Sequence, residues 1–366
     1  MKVVLFHEAI CPEGTSWSQR LGELADEVIL AEEMGFDTYA MSEHHFAKGE
    51  AIISSPEVGL AYMAAKTSRI RLRSASFNLL PYNHPLRLVE QAATLDIMSN
   101  GRFELGGARS NNPYTLEGFG VDPAVTRQYR DEFLRIFGKA FTNEWFEHSS
   151  EFYTIPKRRI SPWDPTRRPP PVHLSTTSLE SHEQAAAAGA GAMSGLSILG
   201  WDHVANCVAA YERGSLRAEP VVGSITSRFA TFSVGVCCLD DRKVAREMTR
   251  ENTLRFIQVI MGWMSKLGRT AEGYEYMRRI EELRDRATDL DFLIDSSPYV
   301  MAGDPDDLIA KARRLYDAGV DDVVWRIDGL GHKNNKATIE MIGNHVIPTL
   351  HSWPDRRASQ RFGSSS

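Results

Sequence analysis

Three times in this chain an amphipathic segment of helical length stops at glycine and passes at once into a short apolar run. The junctions are Gly35-Phe36-Asp37, Gly189-Ala190-Gly191 and Gly319-Val320-Asp321. Glycine closes a helix because it enters the left-handed region without steric cost. Each run that follows is too short for a helix and apolar enough to be buried, so the repeated unit reads as helix, turn, strand. A chain that repeats this unit from end to end is restricted to a parallel sheet covered by helices.

Strand candidates are Val3 to Phe6, Thr38 to Met41, Ile70 to Ser76, Phe103 to Ala108, Val172 to Ser175, Ala192 to Leu196, Phe229 to Cys237 and Asp322 to Arg326. Helical segments separate them, among them Leu21 to Met34, Pro56 to Thr67, Pro85 to Met98, Val125 to Phe141, Leu179 to Ala188 and Asp304 to Ala318. Eight strands joined by right-handed crossovers predict an α/β fold, a (β/α)8 TIM barrel. Its 366 residues suit one such barrel with insertions, expected as a single domain over 1–355. Two stretches break the rhythm. The first, 145–171, is rich in proline, arginine and aromatics and reads as a hairpin or flap before strand 5. The second, 264–300, is dense in charge and lies between strands 7 and 8, where a lid belongs. The tail over 356–366 is expected to be disordered.

Composition narrows the partners. With 42% hydrophobic and 25% charged residues and a net charge of -6, the chain has no field suited to nucleic acid or an anionic membrane, and small neutral or apolar substrates fit it better. No run approaches the roughly 20 apolar residues of a membrane span, and Met1 to Phe6 goes straight into a strand, which implies a cytoplasmic protein. The cysteines, Cys11, Cys207, Cys237 and Cys238, have neither C-x-x-C spacing nor a disulfide pattern, and they read as small buried hydrophobes.

Functional side chains of a parallel barrel stand at the C-terminal ends of its strands. There the chain carries Glu43-His44-His45, Ser76-Phe77-Asn78, Ala108-Arg109-Ser110-Asn111-Asn112, Ser175 to Ser178 and Gly195-Leu196-Ser197. This inventory suits an aromatic ligand bearing a phosphate. Arg109 offers a guanidinium fork, Ser178 and Ser181 open a helix whose dipole attracts an anion, and Arg127 can add a second charge. The serines also serve as helix caps, and Asn111 and Asn112 also read as turn formers. Adjacent histidines lack the spacing and third ligand of a metal site, so no metal is expected.

At these residues the sequence resembles the flavin-dependent bacterial luciferase-like monooxygenases, and within them most closely the luciferase alpha subunit. Three motifs carry the resemblance: Glu43-His44-His45-Phe46, His84-Pro85 through Ser99-Asn100-Gly101-Arg102-Phe103, and Gly106 to Arg109. It implies a barrel that binds reduced FMN from a separate NAD(P)H:flavin reductase and forms a C4a-peroxyflavin with O2. One oxygen atom would then pass to an aldehyde, a ketone or a natural-product intermediate.

By the same resemblance, Arg109, Arg127, Ser178, Ser181 and the backbone of Thr177 match phosphate contacts. Ser76, Phe77, Ala108 and Gly195 border the flavin, and Asn112 borders the substrate pocket. Ser76-Phe77 falls where the alpha subunit has a non-proline cis peptide. Catalysis is assigned to His44 as acid or base, oriented by Glu43 or His45. Ala108 stands where the alpha subunit has a reactive cysteine, and Thr177 stands at a flavin-facing glutamate position, which argues against light emission. A homodimer is implied. Two alternatives stay open: a deazaflavin F420-dependent oxidoreductase, and a non-catalytic flavin-binding accessory subunit.

Overall fold

A computed structural model describes residues 1–47, 51–166, 168–283 and 286–357. Arg167 of the flap, and the part of the expected tail beyond Arg357, lie outside these residues. Eight parallel strands form the centre: β1 (Lys2–His7), β2 (Thr38–Met41), β3 (Arg71–Ser74), β4 (Phe103–Ala108), β5 (Val172–Thr176), β6 (Gly191–Ser194), β7 (Phe229–Ser233) and β8 (Asp322–Arg326). Each pairs with its sequence neighbour, β1 pairs with β8, and the β3–β4 pairing closes the ring. The TIM barrel expected from the sequence is therefore the fold.

The helices α1 (Trp17–Glu33), α2 (Pro56–Lys66), α3 (Pro85–Met98), α4 (Thr126–Thr142), α5 (Leu179–Ala187), α6 (Trp201–Ser215), α7 (Arg242–Thr270), α8 (Pro305–Asp317) and α9 (His332–Met341) surround it. The junction glycines behave as read: Gly35, Gly189 and Gly319 have φ of 86°, 78° and 100°. Alternation along the strands divides the barrel into two sides. Val3, Leu5, Leu72 and Leu105 face the helices in the large core, whereas Val4, Phe6, Ala40, Met193, Ala230 and Val324 fill the interior.

Below that apolar layer lie charges. Arg73 reaches Glu104 at 2.6 Å and Asp322 at 3.3 Å, His173 lies 3.4 Å from Glu104, and Arg228 also bonds Asp322. Burial pushes both carboxyls up, but the arginines outweigh it and hold them below their ordinary range. Pairing of this kind is what permits charge inside a barrel.

Two predicted strands are interrupted. The run Phe229–Cys237 breaks at Val234, where Ser233 donates to Pro298 O, Val234 N–H donates to Tyr299 O, and Arg326 donates to Val234 O. The chain peels outward, and Gly235–Cys238 pairs with Val300–Gly303 outside the barrel. The break is flanked by Ser233 and Gly235. The third strand ends at Ser74 and resumes at Phe77–Asn78 against Gly107 and Ala108. The cis peptide is Ala75-Ser76, one bond earlier than Ser76-Phe77. Ala75 N–H bonds Met41 O and Ser76 O accepts from Glu43 N–H, while Phe77 pairs with Gly107, so the segment stays bonded to both neighbouring strands across the break.

Within 145–171, Phe146–Ser149 and Thr154–Arg158 form an antiparallel hairpin. Of the 264–300 stretch, residues to Thr270 continue α7, and Glu275–Leu283 and Leu290–Ser296 then fold as short helices. With α7 they form a second apolar cluster, built on Phe256, Ile260, Met264, Tyr274, Met277 and Leu293. Among the described residues, no helix is long and apolar enough to cross a membrane.

The closing seam is tight at Gly106, where an added Cβ would stand 1.9 Å from Ser74 O. Gly106→Ala is therefore expected to cost about 3 kcal/mol through strand displacement, read as a lower urea midpoint. An unchanged midpoint would mean that the seam tolerates a side chain.

Candidate active site

The C-terminal strand ends and the second apolar cluster enclose one cavity of about 1240 Å³, mouth included. Its walls divide by chemistry. Phe6, Met193, Phe232 and Val234 rise from the barrel, while Phe256, Ile260, Met264, Met277 and Ile280 cover it from above. Glu8, Ser42, Glu43 and His44 come from the ends of β1 and β2, and Arg109, Arg127 and Arg130 from β4 and α4.

At the cationic end, Arg109 leaves β4 and contacts the Thr126 hydroxyl at 3.4 Å and the Tyr276 hydroxyl at 3.5 Å, its guanidinium lying 4.7 Å over the Tyr274 ring. Among the described residues it has no carboxylate within ion-pair distance. Arg127 and Arg130 project from α4, three residues apart and so on one face. Arg127 holds Glu180 at 3.2 Å near the surface, and Arg130 holds Asp131 at 2.6 Å. Burial lowers the Arg130 pKa, and the charges of Arg109 and Arg127 push the same way. Three cations this close, one without a counter-charge, are arranged for an anion.

Next to them α5 begins. Ser178 caps Ser181 N–H at 3.1 Å, and Ser181 Oγ accepts from Thr177 N–H at 3.1 Å and Ser178 N–H at 3.0 Å. The two serines thus form a capping box, the second reading left open above. Thr177, Ser181, Ala108, Ser76 and Gly195 line the cavity, and Ser178 supports it from behind. Ser76 Oγ bonds Ser175 Oγ at 2.6 Å.

Other expectations need correction. Phe77 is fully buried in the helix-side core, beside Phe103, and is not in the cavity wall. Asn112 is also outside the wall: its Oδ1 caps Tyr114 N–H at 2.9 Å, and its Nδ2 donates to the His45 carbonyl at 3.0 Å. Asn112 thereby acts as the turn former that the sequence allowed.

Glu43 and His45 do not orient His44; they bond each other at 3.0 Å. Glu43 also accepts from Asn78 N–H at 2.8 Å, Tyr82 Oη at 3.0 Å and Asn83 Nδ2 at 3.0 Å. The His45 ring packs among Phe46, Tyr82 and Phe119. These residues lie in the loop beyond the end of β2, where neighbouring side chains meet different surroundings, and only His44 of this histidine pair reaches the cavity.

The partner of His44 is Glu8, whose Oε2 lies 3.0 Å from His44 Nε2 and also accepts from the Ser42 hydroxyl. Burial disfavours charge on both groups, but their mutual attraction outweighs it. The His44 pKa is raised and that of Glu8 is lowered. Sequence reasoning missed Glu8 and Arg130, although rules already in use reach both. Glu8 follows β1 as Glu43 follows β2, and Arg130 is one helical turn from Arg127. Tyr274 and Tyr276 carried no sequence signal, because the fold alone lays their segment over Arg109.

A profile of the luciferase-like monooxygenases matches residues 1–322. The chain belongs to this family. Among curated relatives, this luciferase-like protein is 32% identical over 179 residues to the flavin-dependent trigonelline monooxygenase, oxygenase component, of Acinetobacter baylyi, covering 47% of this chain and 48% of that one. It is 31% identical over 159 residues to the alkanal monooxygenase alpha chain of the Kryptophanaron alfredi symbiont, covering 43% and 44%. The matches thus span about half the length of these relatives. Among solved structures, the oxygenating constituent of 3,6-diketocamphane monooxygenase from Pseudomonas putida, in complex with FMN, aligns at a TM-score of 0.75 with 22% identity, covering 95% of this chain and 98% of that one. An F420-dependent secondary alcohol dehydrogenase aligns at 0.72 with 16% identity, covering 95% and 98%. At these identities the likeness is one of fold.

Glu43 is the hub of the loop that carries His44. Glu43→Ala should strand the Asn78 N–H and the Tyr82 and Asn83 donors, destabilising the protein by about 3 kcal/mol in urea unfolding. A loss below about 0.5 kcal/mol would show that water replaces the carboxylate.

Proposed function

We propose that this protein is the oxygenase component of a two-component monooxygenase, taking reduced FMN from a separate NAD(P)H:flavin reductase and O2 to oxygenate a small organic substrate. The observation that carries the reading is the lining of the cavity, which combines three arginines from β4 and α4, an imidazole–carboxylate pair from the first two strands, and apolar walls. The residues fit FMN. Arg109, Arg127 and Arg130, with the start of α5, would hold its phosphate, and Ala108, Ser76, Met193 and Gly195 would border the ring. The chemistry a bound reduced flavin supplies is two-electron reduction of O2 with delivery of one oxygen atom to substrate.

The chain's own residues supply the surroundings. Arg109, which has no acidic partner among the described residues, binds and orients the phosphate. Phe256, Ile260, Met264, Met277 and Ile280 exclude water, which would otherwise divert the reaction to hydrogen peroxide. His44 holds or moves a proton beside the reacting atoms. An aldehyde, a ketone or a natural-product intermediate would meet the apolar wall. The Acinetobacter baylyi relative is an oxygenase component, which supports a partner reductase. Exposed Val58 and Tyr62, one turn apart on α2, suit a homodimer contact, and the composition suits the cytoplasm.

Reduced FMN and reduced F420 should be titrated anaerobically, and the FMN complex mixed with 18O2 and candidate substrates. The expected outcome is tight FMN binding and product carrying one 18O atom; F420 bound in preference to FMN would overturn the reading. Arg109→Ala should weaken FMN binding about 10- to 100-fold, the worth of a charge-assisted hydrogen bond, and an unaltered Kd would refute the phosphate assignment. His44→Ala should bind FMN normally while product falls about 100-fold or more and peroxide rises. An unchanged product yield would remove His44 from the chemistry.

A further inference from the structure

His44 has two ring nitrogens, and the protein engages one of them. Nε2 lies 3.0 Å from Glu8, whereas Nδ1 is enclosed and without a hydrogen-bond partner, although the residue lines the cavity. Glu8 is itself held in place. It follows β1 directly, where Phe6 is in register with both Ala40 and Arg326, and the Ser42 hydroxyl donates to the same oxygen that faces His44. An ionised carboxylate only accepts hydrogen bonds, so the proton of a neutral His44 belongs on Nε2. The nitrogen left bare is Nδ1.

We propose that Glu8 is the positioning residue of this site, holding His44 in the Nε2–H tautomer and leaving Nδ1 as the one ring nitrogen free to take up or release a proton. This rests on reading the cavity as a flavin and substrate site, although the tautomer itself can be determined without either. A proton taken at Nδ1 leaves an imidazolium balanced by the Glu8 carboxylate, and the same nitrogen can release it again. Glu43 cannot take over the role, because its oxygens already serve Asn78, Tyr82, Asn83 and His45.

The other groups around the pair are accounted for. Glu43 adds negative charge near His44, and the Trp263 ring lies 5.7 Å from the imidazole. Arg326, from β8, favours the ionised form of Glu8, and Tyr299, on the cavity wall, feels the charges of both. Burial acts against a protonated His44, and Glu8 is the largest influence in its favour. Protonated His44 should therefore persist to higher pH with Glu8 present than without it.

The test is a pH titration of flavin-free protein labelled with 15N-histidine, read through long-range proton–nitrogen couplings, with His44→Asn to assign the signal. Wild type should show the Nε2–H tautomer and a midpoint above the ordinary value of about 6.5. In Glu8→Gln the midpoint should fall by about one unit, a tenfold loss of proton affinity, and Glu8→Asp should restore most of it. In turnover, Glu8→Gln should leave the FMN Kd unchanged, lower kcat, and move the pH dependence of product formation to lower pH. An Nδ1–H tautomer in wild type, or equal midpoints in wild type and Glu8→Gln, would overturn the proposal. Failure to bind FMN with the predicted tautomer intact would instead strike the flavin reading and leave the Glu8–His44 assignment standing.

Discussion

Closure of the barrel at β3 and β4 is the constraint on which the rest of the structure depends. Gly106 N–H donates to Ser74 Oγ at 2.8 Å, and Ser74 Oγ donates to Gly106 O at 2.8 Å. The absence of a side chain at Gly106 lets the two backbones meet. A sheet that failed to close there would expose two strand edges and open the charged layer of Arg73, Glu104 and Asp322 to water. Closed, it delivers eight strand ends to one rim, where Glu8, His44, Ser76 and Arg109 face a common space. Just above the seam, β3 is interrupted before Phe77–Asn78 rejoins β4, and Ser76 bonds Ser175.

The cavity built on that rim is polarised. Its arginines come from β4 and α4, its imidazole–carboxylate pair comes from the first two strands, and its apolar roof comes from α7 and the segment beyond it. An anion held at one end fixes where an attached ring lies against the other, which is how a barrel orients a ligand it binds mainly by its tail. Tyr274 joins the roof to the cationic end, donating to the Arg109 carbonyl at 3.0 Å while its ring lies under the Arg109 guanidinium. The covering segment and the anion site are therefore one structure.

The barrel, most of its strand limits and the cationic residues Arg109 and Arg127 were legible in the chain, because periodicity and glycine placement are local properties. The cap of Ser178 on α5 was legible for the same reason. Less legible was the division of labour at Glu43-His44-His45. All three residues carry titratable groups, and their adjacency suggested that they act on one another. The backbone turns them to different neighbours, so Glu43 and His45 secure the loop while His44 faces the cavity. Asn112 and Phe77 were misplaced in the same way, since proximity in sequence to a strand end does not fix which side of the wall a side chain occupies.

By itself the sequence determined the parallel βα order, the rim on which polar groups gather, and the residue types suited to an anion and to proton exchange. Each follows from local spacing, which is the same in the chain and in the fold. Only the tertiary structure decided that Glu8 meets His44 across 36 positions of chain, that Arg130 completes the cationic end, and that Tyr274 and Tyr276 lie over Arg109. It also decided where β7 leaves the barrel. These contacts depend on strand register and on how the chain between α7 and β8 packs, and packing between residues distant in sequence leaves no periodic trace in either partner.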